Sequence, residues 1–256
     1  IGRTALIPES KEIAGIQDVR ELQAALLASA RARGESPAPK KLASQARIVM
    51  ASREIRQNLA VLERLGSEAV YLSADVTDTA ATKQVISDVR SRWGRVDMLI
   101  HAAGLIADKR LSEKSFEQFM EVYGTKVLGL RSLLEATDDD PLRFIGLFSS
   151  VAGRYGNAGQ SDYAMANAAL NRIAGEQARR RGSRCVVRSL NWGPWDGGMV
   201  TPELRDHFAA KGVSIMSMQE GAAAFVRELC HPSTELAEVD VVLAARSKAK
   251  PTQIVY

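Results

Sequence analysis

RFIGLFSSVAGRYGNAGQSDYAMANAALNRIAGEQARRR, Arg143 to Arg181, runs from an apolar segment through a glycine loop into an alanine-rich pattern. The segment RFIGLFSS (143–150) has strand length and no polar alternation, as expected for a strand buried on both faces of a parallel sheet. It ends in Ser150, at the carboxyl edge where open α/β sheets bind ligands. Gly153, Gly156 and Gly159 make a loop. From Asp162 apolar residues recur three and four apart, predicting a helix over 162–181 with Asp162 as its cap. Ser150 stands thirteen residues before Tyr163, and Tyr163 four before Asn167. Residues four apart share a helix face, so Tyr163 and Asn167 project together toward Ser150. A tyrosine beside a hydroxyl partner moves a proton to or from a carbonyl oxygen near neutral pH, which points to an oxidoreductase. A loop serine or a buried helix tyrosine alone is usually structural. The succession of strand end, glycine loop and helix favours a site.

Working outward, further strands are predicted at 69–76 (AVYLSADV), 96–104 (VDMLIHAAG), 184–193 (RCVVRSLNWG) and 239–245 (VDVVLAA). Helices are predicted at 79–92, 114–136 and 219–230. This alternation means an α/β fold, a Rossmann-like doubly wound parallel sheet. The strands at 69–76 and 96–104 end in ADVTD and HAAG, whose small residues let a cofactor approach the backbone. Residues 5–66 differ: amphipathic patterns at 16–33 and 40–65 flank the break Gly34 to Pro39 and read as a helical hairpin with a packing or partner role.

The chain has 256 residues, 46% apolar and 25% charged, the composition of a soluble globular protein. No apolar run reaches membrane-spanning length, and no signal peptide or membrane partner is expected. A net charge of +4 suits an anionic cofactor or substrate and is too dispersed for nucleic acid. Cys185 and Cys230 form no motif, so a reducing cytoplasm is the simple inference. His101, His207 and His231 lack ligand spacing, so no metal site is expected.

With HAAG (101–104), the Ser150–Tyr163–Asn167 segment and NWGPW (191–195) together, the chain resembles the short-chain dehydrogenase/reductases. More narrowly, it resembles the ketoreductase domain of a polyketide or polyunsaturated fatty acid synthase, over Ile1 to Ala245 apart from the hairpin. Most short-chain dehydrogenases carry lysine four residues after the tyrosine, where this chain has Asn167. In synthase ketoreductases the lysine comes from the preceding long helix, and YGTKVLGL supplies Lys126. GQSDYAMANAALN and NWGPWDGGM add to the match. The resemblance implies NADPH-dependent reduction of a 3-oxoacyl thioester carried on an acyl carrier protein. Tyr163 would donate the proton, Ser150 orient the carbonyl oxygen, and Lys126 lower the tyrosine pKa and hold the nicotinamide ribose. Asn167 would hold the lysine or a relay water.

The same resemblance implies the cofactor contacts. Arg3 in IGRT would select the 2′-phosphate of NADPH. Asp75 and Val76 would lie near adenine, and the backbone of His101, Ala102, Ala103 and Gly104 would line the ribose side. Gly193 and Pro194 complete the set. For stereocontrol, B-type ketoreductases carry Leu-Asp-Asp where this chain has Ile106, Ala107 and Asp108, and A-type enzymes carry tryptophan where it has Tyr155. The balance favours B-type and a D (usually R) 3-hydroxyl, without epimerisation because Met165 replaces a proline. Gln160, Trp195 and Met199 join Asp108 and Tyr155 as substrate residues, and 194–218 would form the lid over the acyl chain.

The dinucleotide fingerprint G-x-G-x-x-G is absent, and IGRT reads as the end of a second strand. The expectation is one domain over 1–256, lacking its first strand and Gly-rich loop, with an upstream segment of the same polypeptide completing the sheet. A free-standing dehydrogenase on a small alcohol or ketone and a catalytically silent structural module are the competing readings. The Lys126/Asn167 exchange and the hairpin argue against the first, and the intact Lys, Ser, Tyr and Asn argue against the second.

Overall fold

Four strands, β1 (Met98–His101), β2 (Phe144–Ser150), β3 (Val186–Trp192) and β4 (Asp240–Leu243), pair in parallel in the order β1-β2-β3-β4. The register sets Met98 opposite Phe144, Phe144 opposite Val186, and Ser189 opposite Asp240. The computed structural model describes residues 1–197, 200, 202–210, 212–230 and 239–245. These fall into two units, Ile1–Asp75 and Val76–Tyr256.

The sheet is built wholly from the second unit. Strand β2 is buried along nearly its whole length, as its unbroken apolar sequence requires. Ile145 and Leu147 join Leu99, Val187, Leu130, Leu133, Leu170 and Ala174 in the main core. Each such leucine, isoleucine or valine contributes roughly 1.5–3 kcal/mol on burial. Of the helices, α5 (Gly129–Ala136) and α7 (Ser161–Arg181) supply side chains to this core, while α3 (Thr79–Trp93) packs on α5 and α4 (Phe116–Tyr123) on α7; the one-turn α6 is Ala152–Tyr155. Asp78 caps α3 by accepting from the Ala80 and Ala81 N–H groups, and Gly94, at φ 84°, ends it. Beyond β3 lie α8 (Pro202–Ala210) and α9 (Met218–Cys230).

The first unit holds the expected hairpin, α1 (Val19–Ala32) and α2 (Pro39–Arg64). Asp18 caps α1, and Pro39 opens α2, where its missing N–H costs nothing. Its small core is Ile13, Leu22, Ala46 and Val49.

Three expectations change. The strand expected at 69–76 is reduced to an isolated bridge between Gly2 and Ser73, with hydrogen bonds from Gly2 N to Leu72 O at 3.3 Å and from Ala74 N to Gly2 O at 3.0 Å. One short partner propagates no ladder. The helix expected over 114–136 is two α-helices joined by a π-helical turn, Gly124–Leu128. It begins after Ser115, which forms a capping box with Gln118 and leaves Lys114 outside. Asp162 is not the cap of α7. The helix starts one residue earlier, and Asp162 is buried in its first turn. No described helix is long and apolar enough to cross a membrane.

Candidate active site

Strand β2 ends with Ser150 at the carboxyl edge of the sheet, and its Oγ accepts from the Ala152 N–H at 3.2 Å. The following one-turn helix α6 lies hard against α7. A Cβ on Gly153 would come within 2.8 Å of the Asn167 Cβ and 2.9 Å of backbone atoms of Asn167 and Ala168. That contact sets the distance between the strand end and the helix carrying Tyr163 and Asn167.

Lys126 arrives from the π-helical turn. Such turns bulge one residue out of α-helical register and recur at functional positions. The lysine is 3% exposed, and its Nζ donates to the Phe148 carbonyl at 2.9 Å. The same Nζ lies 5.4 Å from the centroid of the Tyr163 ring. A Cβ on Gly104 would fall 3.0 Å from the Lys126 Cε, so the last residue of HAAG must be small for the lysine to pass. Burial lowers the Lys126 ammonium to about 8. Burial raises the Tyr163 hydroxyl, and hydrogen bonding with the Ser150 and Asn167 side chains opposes that rise. Asn167 is fully buried; its amide N–H donates to the Tyr163 carbonyl at 2.8 Å, and its Oδ1 has no hydrogen-bond partner among the described residues. The structure thus brings Ser150, Tyr163, Asn167 and Lys126 to one place.

A polar network seats α7 on the sheet. The Ser149 hydroxyl donates to Asn191 Oδ1 at 3.2 Å, the Asn171 amide donates to the same oxygen at 2.9 Å, and the Ser189 hydroxyl donates to Asn171 Oδ1 at 2.6 Å. Buried amides with several partners fix one arrangement of strand and helix.

The other expected residues are placed unevenly. Asp108 and Gln160 meet, the Gln160 amide donating to Asp108 Oδ2 at 2.8 Å. Tyr155 is half exposed on α6. Arg3 and Asp75 face each other at 3.9 Å on an exposed surface of the first unit. Val76, in the second unit, turns its side chain into the core. His101 is buried, its Nε2–H donating to the Lys126 carbonyl at 2.9 Å, so its ring serves the π-helical turn. Ala102 is exposed, and Ala103 packs on the core. Gly193 is held by its N–H to Leu243 O at 2.8 Å, and Pro194 O accepts from Met216 N at 2.9 Å. The Trp195 ring stands edge-on to Trp192 at 4.8 Å and covers Gly221, where a Cβ would overlap the indole. Met199 lies outside the described residues. Among the described residues no group of His, Cys, Asp and Glu is arranged to hold a metal ion.

A sequence model described as "KR domain" matches residues 36–197, more than half of the chain. The chain belongs to the KR domain family. This KR domain is 40% identical over 220 residues to a polyunsaturated fatty acid synthase of Thraustochytrium, covering 84% of the chain and 8% of that protein. Among solved structures it resembles an N-terminal ketoreductase from the macrolactin assembly line, with a TM-score of 0.65 and 32% identity, covering 75% of this chain and 36% of that one. It shares its fold with a short-chain dehydrogenase from Burkholderia cenocepacia solved in complex with NADP, with a TM-score of 0.65 and 21% identity over 80% of this chain. The KR domain therefore spans a small fraction of the synthase it matches and about a third of the ketoreductase structure. Its fold is the Rossmann-like parallel sheet of the short-chain dehydrogenase/reductases.

Sequence reasoning missed Lys114. It is buried against Asp162 at 2.6 Å, beside the tyrosine. A single lysine in LSEKS carries no periodic signal, and the helix expected over 114–136 takes it for an ordinary first-turn residue.

Proposed function

We propose that this domain reduces a 3-oxoacyl thioester, presented by an acyl carrier protein, to the D 3-hydroxyacyl thioester with NADPH. The observation that carries the reading is the delivery of Lys126, through a π-helical turn, to the ring of a tyrosine whose own helix supplies Asn167 instead. The residues suit a nicotinamide nucleotide. The Lys126 ammonium offers N–H donors beside a backbone thinned to glycine at position 104, and Asn167 Oδ1 is a buried acceptor ready for a hydroxyl or relay water. When bound, NADPH supplies the hydride that reaches the β-carbon.

The chain's residues do the rest. Tyr163 stays protonated at neutral pH because burial raises its pKa, so it holds the proton that the carbonyl oxygen takes. Ser150 hydrogen-bonds that oxygen as negative charge builds on it. Lys126, below about pH 8, holds a positive charge beside the phenol and offsets the phenolate left behind. Arg3 would hold the 2′-phosphate, and Asp108 and Gln160 would set the side from which the substrate enters. Residues 194–218 act as the lid. Their ends are tied by the Trp195–Met216 bridge and by Asp196 N to Met216 O at 2.7 Å. The hairpin at 5–66 is an insertion into the domain.

The test uses the full-length protein with NADPH and a 3-oxoacyl thioester, beside Tyr163→Phe. Substrate-dependent NADPH oxidation that the variant loses supports the reading. No oxidation, or equal rates in the variant, rejects it.

A further inference from the structure

Lys114 and Asp162 form an ion pair whose side chains are 2% and 1% exposed. The Lys114 Nζ donates to Asp162 Oδ2 at 2.6 Å and to the Ala107 carbonyl at 2.7 Å. The other Asp162 oxygen accepts from the Tyr163 N–H at 2.8 Å. Both ends of the pair are therefore hydrogen-bonded, and three segments meet on it: the loop after HAAG, Lys114 just before the Ser115 cap of α4, and the first turn of α7.

A buried ion pair is a poor way to gain stability, because desolvation consumes most of the attraction and an apolar pair of equal volume serves as well. What it provides is geometry. Removing either partner strands a charge, so the three segments move together or not at all. Two weaker contacts run parallel to it: Lys109 N to Gly159 O at 3.0 Å, and the Gln160 amide to Asp108 Oδ2 at 2.8 Å. Ala107, tied to Lys114, is the residue before Asp108.

We propose that Lys114 and Asp162 are positioning residues: a buried strut that fastens the loop carrying Asp108 to the first turn of the tyrosine helix, and so fixes which face of the bound carbonyl is presented. The proposal rests on the ketoreductase reading for its consequence, but not for the strut itself. The proximity of Asp108 to the site is visible in its charge, which adds to the rise of the Tyr163 hydroxyl.

Two paired replacements remove the charges without stranding either: Lys114→Met with Asp162→Leu, and Lys114→Gln with Asp162→Asn. If one pair does not fold, the other is used. In the full-length protein, hydrogen–deuterium exchange in residues 105–114 should rise roughly tenfold over wild type. With NADPH and a 3-oxoacyl thioester, KM should rise about tenfold while kcat stays within about threefold, and a product of one configuration should become a mixture. Unchanged exchange in a folded paired variant overturns the strut, whatever the turnover. Faster exchange with an unchanged product configuration overturns its role in facial selection. An inactive wild type defeats the ketoreductase reading instead, and the exchange measurement still decides whether the strut exists.

Discussion

The His101 ring donates its Nε2–H to the carbonyl oxygen of Lys126 at 2.9 Å, joining the end of β1 to the π-helical turn across 25 positions of sequence. Burial, with the Lys126 charge adding to it, lowers the imidazole to about 4, so it is neutral at pH 7. An unfolded chain holds this histidine near 6.5, and between that value and about 4 it binds a proton that the folded chain refuses. Stability therefore falls as pH drops through that window, by about 3 kcal/mol at most. In His101→Gln this part of the slope should vanish, read as the difference between the wild-type and variant pH–Tm curves. In His101→Leu, which has no donor for the Lys126 carbonyl, kcat should drop about 10–100-fold, since the turn that aims Lys126 loses its anchor.

Lys126→Met should be inactive yet more stable. The folded-state pKa of about 8 lies below the ordinary 10.5, so below pH 8 the fold bears the cost of a buried ammonium. Between 8 and 10.5 the unfolded chain binds more protons, and wild-type stability rises. The variant should gain on the order of 1–3 kcal/mol at pH 7, a gain that shrinks above pH 8. Thermal melts at pH 7 and pH 10 measure it.

Under the proposed reaction, Ser150→Ala removes a donor needed most when charge is on the substrate oxygen. kcat should fall by about 10²–10³ with KM little changed. Steady-state kinetics against NADPH and the thioester separate the two constants. A drop confined to KM would place Ser150 in binding alone.

Two glycine-to-alanine changes should have opposite signs. At Gly153 the new methyl meets the backbone of α7 within 2.9 Å, which cannot yield, and the cost should be about 1–3 kcal/mol. At Gly175, within α7, the nearest atom is the flexible Arg179 guanidinium at 3.6 Å, so alanine should stabilise by about 0.5–1 kcal/mol through helix propensity. Denaturation midpoints of the two variants test both.

Much of the sheet was legible because its strands announce themselves one at a time. The run 143–150 is apolar without alternation and forms β2, and VDVVLAA contains β4. The segment 69–76 has the same appearance but a short partner, and strand formation depends on the neighbour as much as on the run. The meeting of Ser150, Tyr163 and Asn167 was readable from spacing, because strand end and helix face fix directions. The π-helical turn was not: GTKVLG continues the apolar period of its flanks, and the extra residue shows only when both flanks are packed. Lys114, the His101 ring and the Asn171–Asn191 network escaped for a shared reason. Each is a polar group whose meaning lies in a partner distant in sequence.

An extra residue wound into a helix acts as a length gauge. Val122 and Leu130, on either side of the Gly124–Leu128 turn, are both fully buried. Deleting one residue within the turn would let it relax to ordinary α-helix, with both flanks keeping their buried faces. Leu130 and Leu133 would then stay in the core, and Lys126 would be drawn away from the phenol. A one-residue shortening here, with composition almost unchanged, should be harsher than most substitutions, because the arithmetic of the chain is part of the chemistry.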